Sequence, residues 1–194
     1  DLREMRAHPD RAYHAQLFKA CSRVMTAITR LPQPVIARVH GIATAAGCQL
    51  VASSDLAVAA QSARFGTNGI DAGLFCTTPG VAIGRVMPRK HALDLLLTGR
   101  FIDAARAEAV GLVNAVVPDA ELDAAVAEIA DAIASKSGAA VALGKRAFYR
   151  QVELDLESAY DYASEIMADN AMLADAAEGI DAFMAKRPPV WKHK

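Results

Sequence analysis

The run from Pro34 to Asp55 constrains the fold more than any other part of the chain. Pro32 and Pro34 end a preceding helical pattern, because proline lacks the amide hydrogen that a helix interior needs. Val35-Ile36-Ala37-Arg38-Val39 then reads as a strand entering a core. Gly41 turns the chain, and the residues from Ala43 to Cys48 are mostly small, so a ligand or a second element can approach their backbone closely. A short helix should open here. Amide groups in the first turn of a helix have no internal partners, and beside Ala46 and Gly47 they can face a developing negative charge. Tight packing of helix on strand is the other use of the same small residues.

Apolar residues at Tyr13, Leu17, Cys21, Val24 and Ile28 predict an amphipathic helix from Asp10 to Arg30. Leu56–Ala59 and Ala63–Phe65 read as short strands, and Asn68-Gly69 as a turn. Thr78-Pro79 supplies an N-cap with a first-turn proline, Pro88 starts a helix that Gly99 stops, and Asp103 caps a third. Leu112 to Val117 predicts one more strand, and Leu122, Val126, Ile129 and Ile133 predict a long surface helix within Asp119 to Lys136. From Gly138 the composition is helical until Pro188-Pro189. The order therefore predicts a partial mixed α/β core over residues 1–117 and a helical region over 118–194.

With 194 residues, 53% of them hydrophobic and 22% charged, the chain can bury one core. A net charge of -1 offers no broad basic field, so nucleic acid is not an expected partner and an anionic ligand must be held locally. No apolar run approaches the ~18 residues of a membrane span. Cys21, Cys48 and Cys76 are odd in number and contain no CxxC pair, which argues against a disulfide framework or a zinc site and leads to a cytoplasmic expectation. No histidine is visibly paired with Cys48 or Cys76, so both read as packing residues, as do His40 and His91. The first residue is Asp1, which suggests a fragment or a trimmed product.

The string Pro34-Val35-Ile36-Ala37, Val39, Gly41, Ala43, Gly47-Cys48, Leu50, ending in Asp55, resembles the signature of the crotonase (enoyl-CoA hydratase/isomerase) superfamily. Ala63-Arg64-Phe65-Gly66, Gly73, Pro79-Gly80, Leu97-Thr98-Gly99, the run from Ala107 through Gly111 to Val113, Val116-Val117-Pro118, and Glu178-Gly179 with Phe183, Lys186 and Arg187 follow in the family's order. The resemblance implies an α/β spiral of ββα units, with a carboxyl-terminal helical region used in a homotrimer that commonly stacks as a homohexamer. It also places the chain's start after the amino-terminal strands, just past one of two oxyanion-hole donors. Ala46 stands at the other donor, a backbone amide that the side chain does not alter.

The resemblance implies an acyl-CoA thioester as substrate, fatty-acid related, and no separate cofactor. Hydration of an enoyl thioester requires one group to activate water and one to deliver a proton, which the hydratases accomplish with two glutamates. Gln49 and Gly69 stand at those positions here. Glutamine orients water but does not exchange a proton near neutral pH, and glycine has no side chain. Asp71, two residues beyond Gly69, is the substitute candidate, with a turn or cap as its other reading. Ala46 and Gly47 are expected to bind substrate, and Phe183 and Lys186 to touch the CoA moiety. Trp191 could stack on adenine or plug a subunit interface. The expectation is an enzyme acting on acyl-CoA thioesters, and the alternative is a non-catalytic acyl-CoA binder or regulator.

Overall fold

A computed structural model describes residues 1–193 of the chain. They fall into two compact units, one formed by Asp1–Ile28 with Ile36–Asp123 and the other by Thr29–Val35 with the chain from Ala124 onward. The first opens with α1 (Leu2–Ala7) and α2 (Arg11–Arg30), followed by β1 (Ile36–Val39), β2 (Ile42–Thr44) and α3 (Ala46–Ser53). A second ββ pair, β3 (Leu56–Ala60) and β4 (Arg64–Gly66), leads through a 3-10 turn (Asn68–Ala72) into α4 (Thr77–Val86) and α5 (Arg89–Thr98). β5 (Ile102–Asp103), α6 (Ala104–Ala109) and β6 (Ala115–Val117) follow, before α7 (Leu122–Ala134).

The first strand of each ββα unit joins one sheet and the second strand joins another. The sheet orders are β1-β3-β6, parallel throughout, and β2-β4-β5, with β2 parallel and β5 antiparallel to β4. Successive units therefore stack, with Ile36 opposite Leu56 in one sheet and Thr44 opposite Gly66 in the other. Parallel sheets are covered on both faces, and Ala57, Val58, Ala59 and Ala60 are accordingly buried. Phe65, Ile83 and Leu122 are fully buried around them, each stabilising the fold by ~1.5–3 kcal/mol.

Most of the predicted elements are present, and the departures have local causes. β2 lies in the small-residue segment after Gly41, for which no strand was expected, because small residues such as Ala43 can pair beside Phe65. The strand expected from Leu112 begins only at Ala115: Asn114 leaves the ladder, its amide N–H donating to the Ala57 carbonyl and its Oδ1 accepting from the Ala57 amide, both at 2.8 Å. α4 starts at Thr77 with no side-chain cap, whereas Asp103 does cap α6 by accepting from the Arg106 amide at 2.8 Å. Gly99, at φ 64°, ends α5 in the left-handed conformation that glycine adopts without strain.

The second unit carries α8 (Gly138–Gln151), α9 (Leu156–Ala171) and α10 (Ala174–Met184). Asp155 caps α9, and Ser137 caps α8 while its hydroxyl donates to Asp175. The end of α10 closes with two bonds, from the Lys186 amide to the Phe183 carbonyl and from the Arg187 amide to the Ala182 carbonyl, with Lys186 left-handed at φ 51°.

Two carboxylates of α10 strap the tail. Asp175 accepts from the Lys192 and His193 amides at 2.7 and 2.9 Å. Glu178 takes both Arg187 guanidinium nitrogens at 2.6 and 2.9 Å and the Val190 amide at 2.8 Å. Trp191 packs over Gly179 and donates to the Ser135 carbonyl at 2.7 Å, so its ring is engaged inside this unit.

The Glu178 carboxyl is held down to about 2, first by Arg187 and then by the Val190 amide. A carboxylate depressed from 4.5 stabilises the fold fully above about 4.5 and loses that contribution as pH falls through about 2. Thermal melts of wild type and Glu178→Gln should therefore differ at near-neutral pH, converge below about 4.5 and coincide near 2. A gap that does not change with pH would show that the strap does not depend on this charge.

Candidate functional site

The site is built where β2 turns into α3. Ala45, the N-cap of α3, is held at φ 47° and ψ -113°, a conformation that costs a non-glycine residue about 1–3 kcal/mol. Two bonds impose it: the Ala45 amide donates to the Gly66 carbonyl at 3.0 Å, and the Thr44 hydroxyl donates to Asn68 Oδ1. The Ala45 carbonyl then accepts from the Gln49 amide at 3.0 Å, starting the helix. Among the described residues, none accepts a hydrogen bond from the amides of Ala46 and Gly47, and both residues are exposed. A Cβ built on Gly47 would meet nothing within 4 Å. Within this chain the small residues leave α3's first turn open and are not filled by packing.

The Thr44–Asn68 bond also ties the start of the 3-10 turn to this loop. Gln49 lies on the first turn of α3, 4% exposed, and Cys21 of α2 donates its thiol to Gln49 Oε1 at 3.8 Å. The space beside Gly69 is already occupied. A Cβ there would stand 2.7 Å from the Leu74 carbonyl oxygen and 2.8 Å from Cys76 Sγ. The Leu74 carbonyl has little freedom, because the Leu74 amide bonds back to the Gly69 carbonyl at 2.9 Å.

Asp71 is exposed, and its carboxylate oxygens lie 3.0 and 3.1 Å from where a Cβ on Gly99 would be, so it packs over the end of α5. Burial pushes the Cys48 thiol up to about 12, which keeps it un-ionised near neutral pH. Cys76 Sγ faces the Thr67 carbonyl at 3.5 Å. His40 and His91 each lie within hydrogen-bond distance of an arginine, Arg38 at 3.2 Å and Arg106 at 3.0 Å. Ala46, Gly47, Gln49, Gly69 and Asp71 all belong to the first unit; Phe183, 84% exposed, and Lys186 belong to the second. Ala45 and Cys21 had no assigned role in the sequence reading. A positive φ leaves no mark on an alanine, and Cys21 was visible only as an apolar helix position.

A strand–turn–helix with open amides, inside stacked ββα units, leaves donors free to meet an acceptor oxygen. The enoyl-CoA hydratase/isomerase family model matches residues 1–194, and the chain belongs to that family. It is 52% identical over 194 residues to human enoyl-CoA hydratase domain-containing protein 3, mitochondrial, and 51% identical over 193 residues to the mouse protein. Each match covers all of this chain and 64% of the relative, so the chain spans just under two thirds of these curated relatives. The crystal structure of a Mycobacterium smegmatis enoyl-CoA hydratase superposes with a TM-score of 0.97 at 56% identity, covering 98% of this chain and 74% of the other. The fold is the crotonase fold.

The human and mouse relatives are named as mitochondrial, which overturns the cytoplasmic expectation. Unpaired cysteines indicate a reducing compartment and cannot tell one such compartment from another.

Two substitutions test this geometry. Ala45→Gly should stabilise the protein by about 1 kcal/mol by relieving the φ 47° strain, read as a higher urea midpoint at constant m-value. Gly69→Ala should destabilise it by about 1–3 kcal/mol through its clash with the Leu74 carbonyl and Cys76. Equal midpoints for Gly69→Ala and wild type would show that the turn yields and that a side chain is tolerated.

Proposed function

We propose that this chain belongs to a protein that binds acyl-CoA thioesters and polarises the thioester carbonyl at the Ala46 amide, without the carboxylate pair that drives hydration. The observation that carries this reading is the open first turn of α3. Ala46 and Gly47 present unpartnered amides, and the Gly47 Cα faces free space. Such donors stabilise charge where it develops on an oxygen, and each is typically worth about 100- to 1000-fold in rate when chemistry follows.

Proton transfer is a separate requirement, and the residues present do not favour it. Gln49 is buried with its oxygen engaged by Cys21, Gly69 has no room for a side chain, and the Asp71 carboxylate packs over Gly99. A thioester held here keeps its polarised carbonyl but lacks a matched acid and base. Phe183 and Lys186 supply an exposed apolar face and a cation suited to the CoA nucleotide, in a homotrimer or homohexamer of this chain. The acyl groups belong to fatty-acid chemistry.

Calorimetry and absorbance on the full-length protein test the two halves separately. Crotonyl-CoA should bind, and its conjugated thioester band should move to longer wavelength and then persist. Absence of binding would sink the thioester reading. Steady bleaching of the band above the buffer rate would show hydration by groups other than the missing pair. Gln49→Glu with Gly69→Glu should not create hydratase turnover, because the second carboxylate has no space.

A further inference from the structure

We propose that Thr44 and Asn68 are positioning residues for the Ala46 donor. The bond between their side chains holds the strained turn at Ala45 and so sets how strongly a thioester carbonyl is polarised. This assignment rests on the thioester reading above and names the two side chains on which that polarisation depends.

The strain is the starting observation. Ala45 stands at φ 47° and ψ -113°, a conformation that a non-glycine residue keeps only where its surroundings over-determine it. Rotation about the two backbone bonds of Ala45 redirects the next amide, which is that of Ala46. Loosening the turn therefore turns the donor away without removing it. The Ala45 amide bonds to the Gly66 carbonyl and the Gln49 amide to the Ala45 carbonyl, both at 3.0 Å, but these are backbone bonds open to any sequence. From Ile42 to Gly47, Thr44 is the only residue with a polar side chain. Its hydroxyl, donating to Asn68 Oδ1, is thus the one side-chain brace these residues can make by hydrogen bonding.

The other end of the brace is fixed. Asparagine at a turn commonly bonds its own nearby backbone, whereas Asn68 opens the 3-10 turn and reaches a hydroxyl 24 residues away in the chain. The preceding residue, Thr67, is fully buried. Its hydroxyl donates to the Leu95 carbonyl of α5 at 2.8 Å, and its carbonyl faces Cys76 Sγ at 3.5 Å. An acceptor on so restrained a backbone can hold Thr44 in place, and threonine, branched at Cβ, is itself stiff at χ1. The bond is part-buried, where it is electrostatically stronger than in open water.

A brace that serves the fold alone changes stability. A brace that serves the donor also changes the electronic state of the bound ligand. The wavelength shift of crotonyl-CoA at saturation reads the donor's hold on the carbonyl for each bound molecule, whatever fraction of the protein is folded.

The experiment records difference spectra and binding of crotonyl-CoA on the full-length protein for wild type, Thr44→Val, Thr44→Ser, Asn68→Ala and the double variant, with urea midpoints alongside. Valine keeps the shape of threonine without the hydroxyl, and serine keeps the hydroxyl. Thr44→Val and Asn68→Ala should each lose most of the shift and bind about tenfold more weakly, the equivalent of one hydrogen bond. The double variant should be no worse than either single one, because both remove the same bond. Thr44→Ser should stay near wild type. A full shift in Thr44→Val or in Asn68→Ala, even with a lowered urea midpoint, would make the bond purely structural and overturn the assignment while leaving the thioester reading standing. A Thr44→Ser variant as impaired as Thr44→Val would overturn it equally. Crotonyl-CoA bound by wild type without a shift, or not bound at all, would overturn both.

Discussion

The hydrogen bond from the Ala45 amide to the Gly66 carbonyl is the constraint on which the rest of the site depends. It extends the β2–β4 ladder by one residue past Thr44 and forces the chain to leave the sheet at a positive φ. Because α3 begins at the next residue, that single backbone conformation decides where its first amides point. Gly66 must itself lack a side chain, since a Cβ there would stand 2.9 Å from the Phe101 ring. The ring that fills this space on one strand therefore helps set the carbonyl that orients the donors on the next.

Gln49 and Gly69 differ in what they have done to their surroundings. At position 49 a long polar side chain is accommodated, and a neutral amide suits a buried place beside a thiol better than an ionised carboxylate, whose desolvation would be costly. At position 69 the constraint is one of space. The Leu74 carbonyl and Cys76 sulfur occupy the space that a Cβ would need, so the turn leaves no room for a side chain. Exchanging residue 49 changes chemistry at nearly constant shape, whereas exchanging residue 69 requires the backbone to move.

Much of the fold was legible because it rests on strong local signals: proline breaks before β1, glycine at the end of α5, Asp103 at the start of α6, and alternating short apolar runs. The family string carried the topology, which periodicity alone would not have supplied, since parallel pairs such as β1 with β3 join residues about twenty apart. The site was legible in its residue types and illegible in its geometry. Nothing about an alanine announces φ 47°, and nothing about Leu74 announces that its carbonyl stands where a side chain on residue 69 would go. Trp191 was ambiguous for the same reason: its partner is a backbone carbonyl at Ser135, and any residue has one.

Under the proposed reading, the surviving half of the machinery has a thermodynamic consequence of its own. An amide that stabilises an enolate accelerates reaction only if a proton moves as the charge develops; otherwise the same donor acts on the ground-state carbonyl and appears as affinity. Removing the proton-transfer pair while keeping Ala46 open therefore converts transition-state stabilisation into retention of the thioester. Selectivity must then come from contacts made equally well before and after any chemistry, along the length of the acyl group.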